Sequence, residues 1–431
     1  MKGCGLEFRQ NGANVEFHAA FARYLAGESG EVDLSAGTDR QIATAADVKD
    51  YCVTEFHCTL DARAPSMKVT LDEGFAFATP GIALSVCGTA NAPAELELKS
   101  ATGFPPDGTV DVLAGGVLRL SLTQTLSSGD GALTVHEGGK LLQMGLGSSS
   151  ALNVFTGVRR PIVADGGEVS FGCAPAGTSG GNDAVDVGGS TYLNAFTMRN
   201  GAVYTGKAVR VGNVDPIVPC RWCVDGTVPE TFGQSISLLG RSGDKAVELT
   251  FDIADVTGDA ATDFAFGGDI RIFKNRDYQN VTVVKTGAGT MRIDGLTDYT
   301  RNPTQVRGGM WMLGGSDTMN ADQSIVLDGG SLGTAEGTAN ALKDLTVLQD
   351  ATIVLKRGSS LSFGDCSTME WESALIDVEG DLSTSQLRFG TSAAALTAAQ
   401  QRMFRHHGQR MRLRADGVLE AYADGLKILY R

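Results

Sequence analysis

The chain has 431 residues, 56 of them glycine, roughly twice the usual ~7 per cent, with only 11 prolines and no every-third-glycine period. That excludes collagen and Pro/Gly-rich disorder, and 42% hydrophobic residues suffice for a core. A formal charge of −14 argues against general nucleic-acid binding, and no apolar run reaches the ~18 residues of a membrane helix.

The first residues, Met1-Lys2-Gly3-Cys4-Gly5-Leu6-Glu7, carry no apolar leader, so the expectation is a chain that stays inside or one parted from its leader. Residues 1–65 are poorer in glycine, and Phe17, Phe21 and Leu25 recur at helical spacing through Val15–Leu25. We read 1–65 as an N-terminal cap, 66–395 as the body and 396–431 as a C-terminal cap. Eight cysteines is an even but sparse count, with Cys52/Cys58 and Cys220/Cys223 near enough in sequence to bridge locally.

Through the body one phrase returns: alternating apolar residues, a polar pair, one or two glycines, then alternation again. It runs Val110–Leu120 around Gly115-Gly116, Leu133–Leu141 around Gly138-Gly139, and Ile162–Phe171 around Gly166-Gly167. Later copies are Phe196–Val203, Ile325–Leu332 and Ile353–Phe363. Period-two alternation predicts strands, and glycine supplies the left-handed corner without a Cβ clash. One such phrase would also build a hairpin. The spacing argues otherwise: 23 residues separate Gly116 from Gly139 and 28 separate Gly139 from Gly167, with no amphipathic helix between. Such periods suit stacked coils of parallel strands, each burying its apolar stripe on its neighbours. The predicted class is all-β, a parallel β-solenoid with short capping segments; the alternative is a β-sandwich or jelly-roll pair.

Several short motifs suggest chemistry and are each outweighed by a plainer reading. Gly180-Gly181-Asn182-Asp183-Ala184-Val185-Asp186 is one copy of a calcium-type turn without the neighbours that would complete coordination, so turn chemistry is expected. Gly201–Lys207 approaches a phosphate loop, but Ala208 stands where the hydroxyl belongs. Cys220-Arg221-Trp222-Cys223 lacks the second pair that zinc needs, which leaves a local disulfide or two thiols. Asp252, Asp255, Asp259, Asp263 and Asp269 lie within 18 residues that hold no basic side chain. Calcium takes clustered carboxylates, but the spacing fits no EF-hand loop, and a solvated acidic face is expected. No other cofactor is expected.

The stretch Val284–Gly314 resembles the autotransporter-associated β-strand repeat. Lys285, Gly287, Gly289, Thr290, Gly295, Tyr299, Thr300, Thr304, Val306, Gly309 and Leu313 sit in register with that pattern. Asp298 stands where asparagine is common, and Arg301-Asn302-Pro303 replaces a usual glycine pair. The tail, Leu387–Ser392 through Leu396–Gln400 to Asp416–Leu419, is similar to the usual end of such proteins. The resemblance implies a right-handed parallel β-helix from a secreted or surface protein of a Gram-negative-type bacterium. It brings no catalytic residues.

At the C-terminal end Leu396–Phe404 reads as a short helix with Thr397 at its N-cap. Next come Arg402, Arg405, Arg410, Arg412 and Arg414 with His406 and His407 and no acid between them. In a chain at −14 this run is a candidate grip for an anionic partner; the plainer reading is arginines facing outward from a terminal strand. Two functions follow. The first is a non-enzymatic, secreted or cell-surface rod of structural or adhesive passenger type, presenting loops to glycans or other cell-surface components. The alternative is a carbohydrate-active enzyme, a polysaccharide lyase or glycoside hydrolase, whose sign would be paired carboxylates flanked by sugar-stacking aromatics. Trp222, Trp311 and Trp371 are scattered, and with five histidines no nucleophilic triad follows from spacing.

Overall fold

The computed structural model describes residues 109–120, 132–143, 161–171, 193–206, 208–212, 220–239, 247–272, 281–299 and 302–422, with strand segments 7–8, 40–42, 55–58, 67–71, 83–86 and 93–98 before them. The expected helical spacing at Val15–Leu25, the Gly180–Asp186 turn, Lys207, and Cys52 with the Cys58 side chain lie outside the described residues. The chain is all-β. It divides into two compact units, Met1–Glu230 and Thr231–Arg431.

In the first unit one sheet runs, in order, through Glu7–Phe8, Glu55–Cys58, Ala83–Val86, Val110–Val112, Leu133–His136, Ile162–Asp165, Ala195–Arg199 and Cys220–Val224. A second runs through Arg40–Ile42, Met67–Leu71, Ala94–Leu98, Gly116–Leu120, Lys140–Gln143, Glu168–Phe171 and Val203–Tyr204. Neighbours in both sheets pair in parallel. Each glycine phrase therefore gives one strand to each sheet. The hairpin reading fails here, because an antiparallel ribbon would pair the two halves of a phrase with each other.

The corner explains the choice. Gly138 takes φ 75, and a Cβ on Gly139 would collide with the Val112 carbonyl of the preceding coil. The same pair recurs at 115–116 and 166–167. Successive corners lie against each other, with Gly115 N donating to Gly138 O at 2.9 Å. Register then places like on like: Val112, Val135, Ala164, Met198 and Val224 form one buried column. Removing a leucine-sized side chain from such a column costs about 2–5 kcal/mol.

The second unit repeats the scheme with more sheets. One contains Val247–Ile253, Val281–Thr286, Thr304–Val306, Ile325–Leu327 and Leu345–Val347. Another contains Thr262–Phe266, Thr290–Ile293, Met310–Leu313, Ser331–Thr334, Ala351–Leu355, Ile376–Gly380 and Phe404–His406. Smaller parallel sheets join Ile236–Leu239, Ile270–Ile272 and Thr297–Asp298, and Ala339–Leu342, Ser360–Phe363 and Gln386–Phe389.

Parallel pairing stops at the C-terminal end. Gln409–Leu413 pairs antiparallel with Phe404–His406 on one side and Leu419–Ala421 on the other. The edge at Leu345–Val347 is closed by side chains as much as by backbone. Leu345 N donates to Cys366 Sγ at 3.4 Å, Trp371 Nε1 to Leu345 O at 2.8 Å, and Glu372 N to Val347 O at 2.9 Å. The expected helix is shorter than Leu396–Phe404. It covers Ala398–Gln401, because Phe404 is drawn into the parallel ladder beside Ile376. Thr397 caps it reciprocally: Gln400 N donates to Thr397 Oγ1, and Thr397 N to Gln400 Oε1.

Candidate functional site

The repeat residues assemble at one corner of the second unit. Lys285 is the penultimate residue of the strand Val281–Thr286, in register with Phe251 on one side and Val306 on the other. Its side chain is fully buried, and Nζ donates to the carbonyls of Thr286 (2.7 Å), Gly287 (2.9 Å) and Gly308 (3.1 Å). Burial pulls its ammonium down to about 8, while the Asp252 and Asp263 carboxylates pull the other way. Gly287, Gly289, Gly295 and Gly309 all stand where the backbone of the preceding strands and turns passes too close for a Cβ. Tyr299 is buried and shares a 2.6 Å hydrogen bond with Thr304, and burial pushes its phenol up. These residues close coil on coil, and none of the six presents a group to solvent for catalysis.

The acidic stretch divides. Asp255 and Asp259 are exposed and accept turn N–H groups from Gly258 and Ala261. Asp263, expected on a solvated face, is instead fully buried. Its Oδ1 accepts from Val256 N, Thr257 N and Thr257 Oγ1, and its Oδ2 from Thr290 N. Four donors make this burial tolerable. Asp252 accepts from Thr286 Oγ1, and Asp269 accepts from Leu296 N and pairs with Arg271. Among the described residues no three His, Cys, Asp or Glu side chains are grouped to hold a metal.

The C-terminal arginines are dispersed by the hairpin. Met411 and Leu413 point inward while Arg410, Arg412 and Arg414 point outward. Arg412 places Nε and Nη2 on Glu420 Oε1 at 2.8 and 2.7 Å, and Arg414 pairs with Asp416 at 3.1 Å. Arg405 folds back, its Nη1 donating to the carbonyls of Arg402 and Phe404. Arg410 is its direct cross-strand neighbour, and exposed Asp377 lies in register on the other side. Arg402 is exposed at the end of the helical turn. A run without acids in sequence thus acquires acidic neighbours in space. His406 Nδ1 contacts the Val378 carbonyl, 2.8 Å away.

Strand alternation sends Cys220 inward and Cys223 toward the outer face, so the two sulfurs are not joined to each other. Burial raises the Cys220 thiol to about 12. Trp222 and Trp311 turn inward, and Trp371 is half-buried. Trp222 donates to Leu193 O at 2.9 Å, Trp311 is fully buried, and Trp371 stands against Phe389 and Phe404.

Sequence reasoning missed a polar ladder on the outer face of the first unit. His136 Nε2 lies 2.9 Å from Asp111 Oδ1, and Arg199 lies 3.2 Å from Asp165 and 3.9 Å from Asp225. Buried Glu230 accepts the Gly201 N–H at 2.7 Å, and burial raises its carboxyl. The only advance signal was position: His136, Asp165 and Arg199 each end a strand just before a glycine corner. No protein-family model matches the chain, and no match was found among curated proteins or among solved structures.

Proposed function

We propose that the chain is a right-handed parallel β-helix of the autotransporter-associated repeat type, acting without catalysis as a secreted or cell-surface passenger that presents its turns for binding to glycans or other surface components. The observation that carries this reading is the use of Lys285, Gly287, Gly289, Gly295, Tyr299 and Gly309. Each serves coil closure, as a repeat built for stacking requires. The inward Trp222 and Trp311 add support, since a sugar-cleaving groove would set aromatic faces outward beside its carboxylates. No helix among the described residues is long and apolar enough to cross a membrane.

The test is the intact chain on a glycan array, with reducing-sugar release measured on acidic polysaccharides. Binding without release is expected. Sustained release would replace the passenger reading with a carbohydrate-active enzyme, and neither binding nor release would remove the adhesive role. Protease shaving of intact producing cells should liberate peptides of this chain, and their absence would refute the surface address.

A further inference from the structure

Asn200 and Gly201 form the corner after the strand Ala195–Arg199, and contacts from two other coils converge on them. Asn200 takes φ 58, a left-handed value that asparagine tolerates better than most side chains, and Gly201 follows at φ 82. Nothing lies within 4 Å of the place a Gly201 Cβ would occupy. Asparagine before glycine is chemically labile because no side chain shields the following nitrogen. In that reaction Gly201 N attacks Asn200 Cγ. The N–Cγ bond forms, the Cγ–Nδ2 bond breaks, and the proton from the backbone nitrogen leaves with Nδ2 as ammonia. Water then opens the cyclic imide to aspartate or isoaspartate.

All three reacting groups are engaged in the structure. Asn200 Nδ2, the leaving group, donates to Asp165 Oδ1 at 2.7 Å. Asn200 Oδ1 accepts from Thr227 Oγ1 at 3.3 Å. Gly201 N, the nucleophile, donates to Glu230 Oε1 at 2.7 Å, and the Glu230 carboxylate also meets the Ala202 N–H. Glu230 is 2% exposed and so held in place. Gly226, at φ 105, lets the later corner approach: a Cβ there would stand 2.7 Å from Asn200 Oδ1.

We propose that Asn200–Gly201 is a latent self-modification site, a reactive pair kept unreacted because Asp165, Thr227 and Glu230 hold its leaving group, carbonyl and nucleophile. Conversion puts a carboxylate where Nδ2 now donates to Asp165, so the modified chain loses a tie between two coils and gains a like-charge contact.

The intact chain and a peptide of residues 198–203 are incubated side by side in mildly alkaline buffer, and isoaspartate at position 200 is followed by peptide-mapping mass spectrometry. The intact chain should convert about tenfold or more slowly, the factor a charge-assisted hydrogen bond represents. Thr227→Ala and Glu230→Gln should both convert faster than the parent. Should Glu230→Gln fail to fold, Thr227→Ala at its exposed position carries the comparison. Conversion of the parent at the peptide's rate overturns the proposal, as do folded variants as slow as the parent. Asn200→Asp should melt below the parent; an unchanged melting temperature overturns the coupling to coil stability.

Discussion

Lys285 Nζ donates to the Gly308 carbonyl, 3.1 Å away and 23 residues along the chain, so one side chain ties a strand to the corner of the following coil. The amine sits in an otherwise apolar column, and its proton is held less firmly folded than unfolded. Below about 8 both states carry the proton, and the fold bears the full cost of a buried charge. Between about 8 and 10.5 the folded state has shed a proton that the unfolded chain keeps, so stability rises with pH across that window. Urea unfolding of the parent and Lys285→Met over this range should give curves whose difference changes with pH. Parallel curves would remove the amine's role.

At the corner, Gly309 combines φ 56 with a Cβ position that collides with Gly289 O and lies 2.6 Å from Gly287 O. Gly258 shares the left-handed conformation at φ 74 but has open space. Gly258→Ala should therefore cost about 1 kcal/mol from backbone strain. Gly309→Ala should cost about 3 kcal/mol or more, since the later coil must also move. Equal losses by thermal melting would mean that conformation alone, not close stacking, requires glycine here.

Trp371 closes a sheet edge with its indole N–H on Leu345 O. Trp371→Ala should destabilise by about 3–5 kcal/mol and open that edge to intermolecular pairing. Hydrogen exchange at the Leu345 amide, which donates to Cys366 Sγ, should quicken with it, and light scattering should rise. Unaltered exchange would show that the edge is protected by something other than this segment.

Arg412 and Glu420 make a well-formed pair on an outer strand, with side chains 61% and 34% exposed. Exposure screens such pairs, so a double-mutant cycle on Arg412→Ala and Glu420→Ala should yield a coupling of about 1 kcal/mol or less that fades with salt. A salt-insensitive coupling well above that would indicate a pair shielded from solvent.

Much of this was legible in the order of residues. Alternation with glycine corners announced strands and their turns, and the 23-residue spacing of Gly116 and Gly139 favoured parallel stacking over hairpins. Thr397 announced a helix start, though not its stop at Gln401, which came from the competing claim of the strand at Ile376 on Phe404. These are short-range properties, set by backbone geometry and a few neighbouring side chains.

Contacts between coils followed a different rule. Asp263 looked solvated among acidic neighbours, and its burial under four donors depends on Thr290, 27 residues later. The arginine run looked uniformly cationic until the hairpin placed Glu420 against Arg412 and the ladder brought Asp377 beside Arg405. Glu230 meets Gly201 across 29 residues. Coils of unequal length, such as 23 residues from Val110 to Leu133 and 34 from Ile162 to Phe196, shift which side chains align. Local chemistry decided that the chain would form parallel strands joined by glycine corners; the register of one strand on the next decided which charges met, and only the paired backbone sets that register.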